Sequence, residues 1–565
     1  MWGVSRRSRR GAQTNTRGAG FRVFSAAAAP RHSPRGAGWF YLQQGMTIVP
    51  RPLVDFVAAH RARRLRARLH LQGDGRAHQQ AVWRTLMARH ERTEIGRELG
   101  LGPKLAYETF RQRAPLRLGA DFRGAAERMA GGAADILWPG RCNHFVYTAG
   151  TVDGTPRMLP VTPDMARHFR ETLAQAWLLH AVRTGRVDLF HGRHLHAGAS
   201  TALRAARGAR AGYLDGIARA CLSDWARANL YAPPAGVAQL PEGPEKLAAL
   251  IDACRHADVR LLAGTPAALL ALLGALKETG GAWPRLECCV LTGAMPGIHA
   301  RPLAELAGAG VSLHEIYAGA EGVFAAQDSD ARSGLRLFTD AGIFFEFLPA
   351  RELGGSLAAL GPRCVPLAEA KTDTDYALVA TTPAGLVRCL VGDTVRFTSL
   401  QPPRLVVTGR TQFLLNAFGE QTTERELTET LIDICECNRW EPVNFHVAPY
   451  HTRGAVRRSQ GCHEWWVELS PGTVRTPTGP LLAAELDTEL GRRNRDYTAR
   501  RANGALETPV VRLVMPGVFT QWAELHPAFG GPGKLARCRN DRLMADQLAG
   551  IARFHSGSVA PFGPG

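Results

Sequence analysis

The chain has 565 residues, 45% of them hydrophobic and 21% charged, the composition of a globular protein too long for a single core. Its net charge is +19, but the basic residues are spread out rather than clustered with aromatics, which argues against a nucleic-acid surface. Eleven cysteines without a CxxC pair argue against a zinc site or a disulfide framework and fit reduced thiols in a cytosol.

Residues 1–45 stand apart. They carry eight arginines and an alanine run, and no acid occurs before Asp55. The composition matches an organellar transit peptide. The alternative is an upstream start with Met46 as the true first residue, favoured because amphipathic patterning begins only at Leu53. In either case this segment is expected to lie outside the fold. Residues 50–137 then read as helices, with apolar positions at helical spacing and arginines between them. Phe145 to Tyr147 reads as a strand, and Pro163 to Val182 as a helix with Thr162 as N-cap and Pro163 at its first position.

His191, His194 and His196 follow in a β-rich run. No carboxylate or cysteine completes a ligand set, so a strand is the better reading than a metal site. From Pro244 helices alternate with continuous apolar strands, the pattern of a mostly parallel sheet covered on both faces. The uncharged run 261–276 contains Gly264, Thr265 and Pro266 and is shorter than the ~20 residues of a membrane span, so it reads as a strand and a helix. Residues 335–410 alternate at period two, an antiparallel module. After a polar connection at Gly409–Glu420 the chain restarts with a helix, a hairpin, a helix (480–501) and a strand, a small α+β unit, with a flexible joint expected between about Gly409 and Glu424; the tail 553–565 reads as flexible.

The stretch with the most chemistry is Tyr147 to Thr162, YTAGTVDGTPRMLPVT. Glycines let a backbone approach an anion, and hydroxyls with one cation add charge-assisted donors. It lacks the order of a P-loop or a dinucleotide fingerprint. Read alone, a β-hairpin with a glycine turn accounts for it as well as a phosphate loop. TGA at 292–294 and YAGAEG at 317–322 each follow an apolar strand, where ligands of open α/β sheets sit. Taken singly, Asp393 after Gly392 is a turn residue and Glu321 before Gly322 a helix start.

In order along the chain, TAGTVDGTPR (148–157), VLTGAM (290–295), YAGAEG (317–322), LVGDTVRF (390–397), GRTQFLLNAFGEQTTE (409–424) and GKLARCRNDR (533–542) resemble the motifs of the plant auxin-responsive GH-three-type acyl acid–amido synthetases and their bacterial relatives, within the acyl-adenylate-forming enzymes. The resemblance covers about residues 50 to 550. It implies an α/β protein of firefly-luciferase-like fold: a large domain (46–420) with a β-barrel and helix-flanked mixed or parallel sheets, and a small α+β lid (421–552). It implies an ATP-dependent ligase that adenylates a carboxylic acid and passes the acyl group to an amine, an amino acid above all, in the cytoplasm, with no nucleic-acid or membrane partner. A coenzyme A ligase and a nucleotide-binding pseudoenzyme are the alternatives.

The same resemblance implies the site. Thr148, Ala149, Gly150 and Thr151 would hold ATP phosphates with Arg157, which stands where the family often has lysine. Thr292 and Gly293 would lie beside adenine and acyl group. Tyr317, with Ala318, Gly319 and Ala320, would stack on or border the adenine. Glu321 would hold Mg²⁺, and Asp393 would take the ribose hydroxyls. Arg410 and Asn416 would lie at the hinge near the nucleotide. Lys534 would reach in from the lid, and Lys534, Glu321 and Thr151 would be catalytic. The family commonly has serine at positions 149 and 320; each missing hydroxyl removes a neutral hydrogen bond of about 0.5–1.5 kcal/mol.

Overall fold

The computed structural model describes residues 49–552, apart from 72, 149–156, 294, 354–355, 452–459, 474 and 527–534. The expectations for residues 1–45 and for the tail therefore lie outside the described residues.

Long helices open the chain. Arg51–Leu71 places Val54, Ala58, Ala62, Leu65 and Leu69 on one buried stripe and packs along Pro163–Thr184. Pro163–Thr184 starts as its sequence dictates: Pro163 occupies the first turn and the Thr162 hydroxyl accepts the Met165 N–H at 3.0 Å. A four-stranded sheet beside it contains the hairpin His144–Thr148 and Arg157–Pro160, in which Thr148 is opposite Arg157.

The dominant element is a 13-stranded sheet. Its parallel half runs Tyr231–Ala232, Arg193–Ala197, Val259–Gly264, Cys288–Leu291, Ser312–Gly319. Cys288–Leu291 is apolar and buried throughout and Val259–Gly264 is so except at Arg260, as crossover helices such as Pro266–Glu278 cover them. Its antiparallel half continues through Gly322–Gln327, Leu335–Leu337, Pro403–Arg410, Cys389–Leu400, Asp375–Thr381 and Phe344–Pro349. The antiparallel module foreseen for 335–410 is thus part of the same sheet. Among the described residues these pairings form open paths, without the ring closure of a barrel.

Ser312–Gly319 is the strand where the two halves meet. Ser312–Glu315 pair in parallel with Cys288–Leu291, whereas Ile316–Gly319 pair antiparallel with Gly322–Ala326. The carboxyl end of the parallel half therefore lies there, and ligands of open α/β sheets bind outside the carboxyl ends of the strands.

The C-terminal unit has its own three-stranded sheet, Pro442–His451, Gly461–Leu469 and Val510–Val514, with Glu424–Asn438 and Gly479–Arg493 packed on it. The single helix foreseen over 480–501 is two, Gly479–Arg493 and Arg495–Ala502, because Asn494 caps the second by accepting the Tyr497 N–H at 2.7 Å. Among the described residues no helix is long and apolar enough to cross a membrane.

Candidate active site

YAGAEG does not start a helix: Tyr317–Gly319 end strand Ser312–Gly319 and Gly322 opens the next one. Gly319 and Gly322 are paired, so Ala320–Glu321 is the tip of a tight hairpin. Two glycines make it possible. The Glu321 carboxylate folds back over Gly319, where a Cβ would come within 2.8 Å of Oε2, and Gly322 has φ +152°, with a Cβ there meeting Ile343 at 2.4 Å. The hairpin is locked from helix Pro163–Thr184. His168 Nε2 accepts the Val323 N–H at 2.9 Å while Nδ1 donates to the Ala341 carbonyl at 2.7 Å. Both ring nitrogens are committed, which defines a neutral tautomer, and burial pushes the imidazole down to about 4.

Gly392 and Asp393 are not a turn. They lie inside strand Cys389–Leu400, and Asp393 is directly opposite Arg410. The Tyr317 hydroxyl donates to Asp393 Oδ2 at 2.9 Å, and Arg410 Nε lies 3.8 Å from Oδ1. The Tyr317 ring is buried against Phe324, so the hydroxyl is the part that faces the site. Burial pushes Asp393 up; Arg410 and the Tyr317 hydroxyl pull it back. Burial likewise pushes Glu321 up to about 7; its own backbone N–H opposes this, Asp393 adds to it, and Arg157 and Arg410 counter it. Two carboxylates with two guanidiniums in electrostatic reach therefore share one end of the sheet.

Arg157 runs beside Gly119, whose Cβ position is 3.6 Å from Nη1. Thr148 is paired with Arg157, and the expectations for Ala149, Gly150, Thr151 and Lys534 lie outside the described residues. Thr292 and Gly293 leave strand Cys288–Leu291 at the same sheet end, the Thr292 N–H donating to the Gly264 carbonyl at 3.0 Å. Ala318 is in the strand and Ala320 at the hairpin tip. Asn416 is set apart from this group: it is exposed, its N–H donates to Asn540 Oδ1 at 2.7 Å and its own Oδ1 accepts from Gln421 N–H at 3.3 Å.

Sequence reasoning missed His168, Glu424 and Arg537. Glu424 opens helix Glu424–Asn438 with its Cβ against Gly409, at 3.0 Å from that residue's Cβ position. Burial pushes its carboxyl up, while Arg410 and Arg537 pull it down. Arg537 is half-buried against the Phe445 ring, bonds Asn444, and donates to His299 Nε2 at 3.3 Å, so it joins the C-terminal unit to the large one. Desolvation lowers it to about 10. Glu424 and Arg537 lie inside quoted motifs, but only the long-range contacts single them out. Among the described residues no three His, Cys, Asp or Glu side chains gather as a metal-binding group.

Comparison with known families decides the kinship. The GH3 family N-terminal domain matches residues 65–216, its central domain 336–410 and its C-terminal domain 426–542, together more than half of the chain. The chain belongs to the GH3 family. An indole-3-acetic acid-amido synthetase, GH3.8, of Oryza sativa subsp. indica is 29% identical over 185 residues, 32% of this chain and 30% of that protein. A probable indole-3-acetic acid-amido synthetase, GH3.9, of Oryza sativa subsp. japonica is 28% identical over 207 residues, 34% of this chain and 46% of that one. The matched stretch thus spans less than half the length of these curated relatives. Among solved structures, AtGH3.15 acyl acid amido synthetase in complex with 2,4-DB superposes with a TM-score of 0.65 at 17% identity, covering 87% of this chain and 96% of that one. A 2-hydroxyisobutyryl-CoA ligase in its postadenylation state superposes with a TM-score of 0.57 at 17% identity, covering 84% and 92%. The GH3 protein thus has the fold of adenylate-forming enzymes.

Proposed function

We propose that this GH3 protein is an ATP-dependent acyl acid–amido synthetase. A carboxylate oxygen attacks the α-phosphorus of ATP and pyrophosphate leaves; an amine, above all that of an amino acid, then attacks the acyl carbon and AMP leaves. The carrying observation is the group Tyr317–Asp393–Arg410 beside Glu321 and Arg157, at the sheet end where strand direction changes. Bringing two anions together is mainly a matter of position and charge. Asp393, oriented by Tyr317 and Arg410, accepts the ribose hydroxyls. Arg157 and the residues Thr148 to Thr151 hold phosphate oxygens, and Thr292 and Gly293 border the acyl and adenine groups. Lys534 neutralises the transferring phosphoryl group.

Magnesium fits the donor set. Glu321 is a hard carboxylate, half-buried and without an ion pair among the described residues, and Mg²⁺ takes one or two carboxylates and completes its shell with phosphates and water. When bound, the ion supplies charge neutralisation on the phosphate oxygens. We place the reaction in the cytoplasm, a reducing compartment consistent with eleven free cysteines, nine of them buried. We place the moving boundary between large domain and lid near 410–412, within the connection foreseen at 409–424, since residues beyond it belong to the C-terminal core.

ATP–pyrophosphate exchange over a panel of carboxylic acids tests adenylation, and amino acids against coenzyme A as acceptors test the second step. Exchange with at least one acid is expected, with Lys534→Ala about 10²–10³-fold slower. An inert wild-type chain that still binds ATP would leave a pseudoenzyme.

A further inference from the structure

Two of the strands that carry the active-site residues run away from it to a shared second location. Gly322–Gln327 starts next to Glu321 and ends next to Asp328; Pro403–Arg410 ends at Arg410 and has Arg404 at its far end. At about 3.3 Å per residue these far ends lie roughly 20 Å from the site. A cavity of about 480 Å³ opens there, lined among others by Arg66, His70, Asp328, Arg336, Gln401 and Arg404.

Its charges do not balance. Three guanidiniums meet one carboxylate, a surplus of two positive charges among the lining side chains at neutral pH. Asp328 accepts from Arg404 Nε and Nη2, both at 2.9 Å, and from Arg336 Nη1 at 3.1 Å. Burial alone would raise this carboxyl, but the two arginines hold it below its usual range. The other anchors are neutral: Arg336 Nη2 donates to the Leu69 carbonyl at 2.7 Å and Arg66 Nη2 to the Val182 carbonyl at 2.5 Å. Those contacts orient the guanidiniums without neutralising them. Arg336 is nearly buried and Arg404 is mostly so, and the two share Asp328, which leaves one surplus charge in a poorly hydrated wall and the other on exposed Arg66 at its rim. Planar forks fixed at a concave wall match carboxylate and phosphate oxygens.

We propose that this cavity binds a small, multiply charged anion of the organic phosphate or polycarboxylate class. The assignment does not depend on the activity proposed above. The test is calorimetric titration of the full chain with citrate and with glycerol 3-phosphate at constant ionic strength. It is run on wild type, Arg66→Ala, Arg404→Gln and, as a control at the opposite end of the sheet, Arg410→Gln. One-to-one binding is expected for at least one probe. Citrate alone would identify the polycarboxylate class, and glycerol 3-phosphate alone the organic phosphate class. Arg66→Ala and Arg404→Gln should each weaken it about tenfold or more, and Arg410→Gln should leave it unchanged. Arg66 is exposed, so its variant keeps the test valid if loss of the Arg404–Asp328 pair unfolds the chain. Absence of binding by either probe, or binding lost with Arg410→Gln but kept with Arg66→Ala, would overturn the proposal.

Discussion

Asp393 and Glu321 are neighbours in the same electrostatic field, yet they are built for different steps. Asp393 is already bonded by Tyr317 and offset by Arg410, so it can accept hydrogen bonds from a neutral ligand at little cost. Asp393→Asn should raise the KM for ATP about tenfold, the worth of one charged hydrogen bond, with a smaller effect on kcat. Glu321 is raised to about 7 chiefly by burial, so its charged form grows in only as pH rises through that value. Exchange activity should rise with an inflection near pH 7, and Glu321→Gln should abolish both the inflection and most magnesium-dependent turnover. The stability sign runs the other way. Because the folded chain holds this proton more tightly than the unfolded one, Glu321 costs stability as pH rises from about 4.5 toward 7, so Glu321→Gln should melt higher than wild type at pH 8 and equally at pH 4. Unchanged Tm at pH 8 would mean that Glu321 is not desolvated. Residues of this kind were legible in the chain because they sit in short motifs. Their contacts were not: Tyr317 and Asp393 are 76 positions apart and meet only through the register of the sheet.

At the scale of elements, the site depends on how helix Pro163–Thr184 grips the hairpin. Helical periodicity shows that position 168 faces inward but cannot say that His168 bonds the backbone on both ring nitrogens. Its substitutions should separate. Glutamine reaches the place of Nε2 and keeps an acceptor for the Val323 N–H; asparagine reaches only the place of Nδ1. His168→Gln should therefore retain most kcat, while His168→Asn and His168→Ala should lower kcat severalfold and raise the magnesium requirement. Equal damage in all three, with equal loss of Tm, would reduce His168 to a core residue. A second element-level finding concerns the connection to the C-terminal unit. From sequence the joint is spread over Gly409–Glu424, because polar and glycine residues suggest freedom throughout. Most of it is instead bonded into the C-terminal unit. Phe413, Leu415 and Phe418 lie in that unit's core, Leu415 pairs with Thr422, Asn540 holds the Leu414 carbonyl and the Asn416 N–H, and Glu420 bonds His463 at 3.1 Å. The Thr411 N–H still donates to the Gly392 carbonyl of the large unit at 2.9 Å, so the proposed motion is expected at Thr411–Gln412. Limited trypsin digestion should cut after Arg410, more slowly once ATP and a carboxylic acid are present. Cleavage first at Arg425 would place the joint later.

At the scale of the molecule, composition and alternation made the two-part α/β organisation legible, but not the fusion of the parallel and antiparallel halves into one sheet. Arg388, which is fully buried, fastens the antiparallel half to the N-terminal segment. Its guanidinium pairs with Glu346 at 2.9 and 3.0 Å and donates to the carbonyls of Arg111, Ala114 and Gly361, tying together a helix, a strand and two loops. Arg388→Ala should cost about 3–5 kcal/mol by leaving Glu346 unpaired, and adding Glu346→Leu should restore part of it, as chemical denaturation would show.

The continuity of the sheet also bears on how such a protein can be divided or recombined. The central family domain begins at residue 336, which invites treating it as a cassette. Yet strand Leu335–Leu337 is hydrogen-bonded to Gly322–Gln327 on one side and to Pro403–Arg410 on the other. A fragment ending at Gly334 would bare one edge of a strand whose six residues are all buried, a template for pairing with other copies. Residues 49–334 and 335–552 should each aggregate when expressed alone and become soluble together, so inheritance in this family would pass the two halves on as a unit rather than as exchangeable modules.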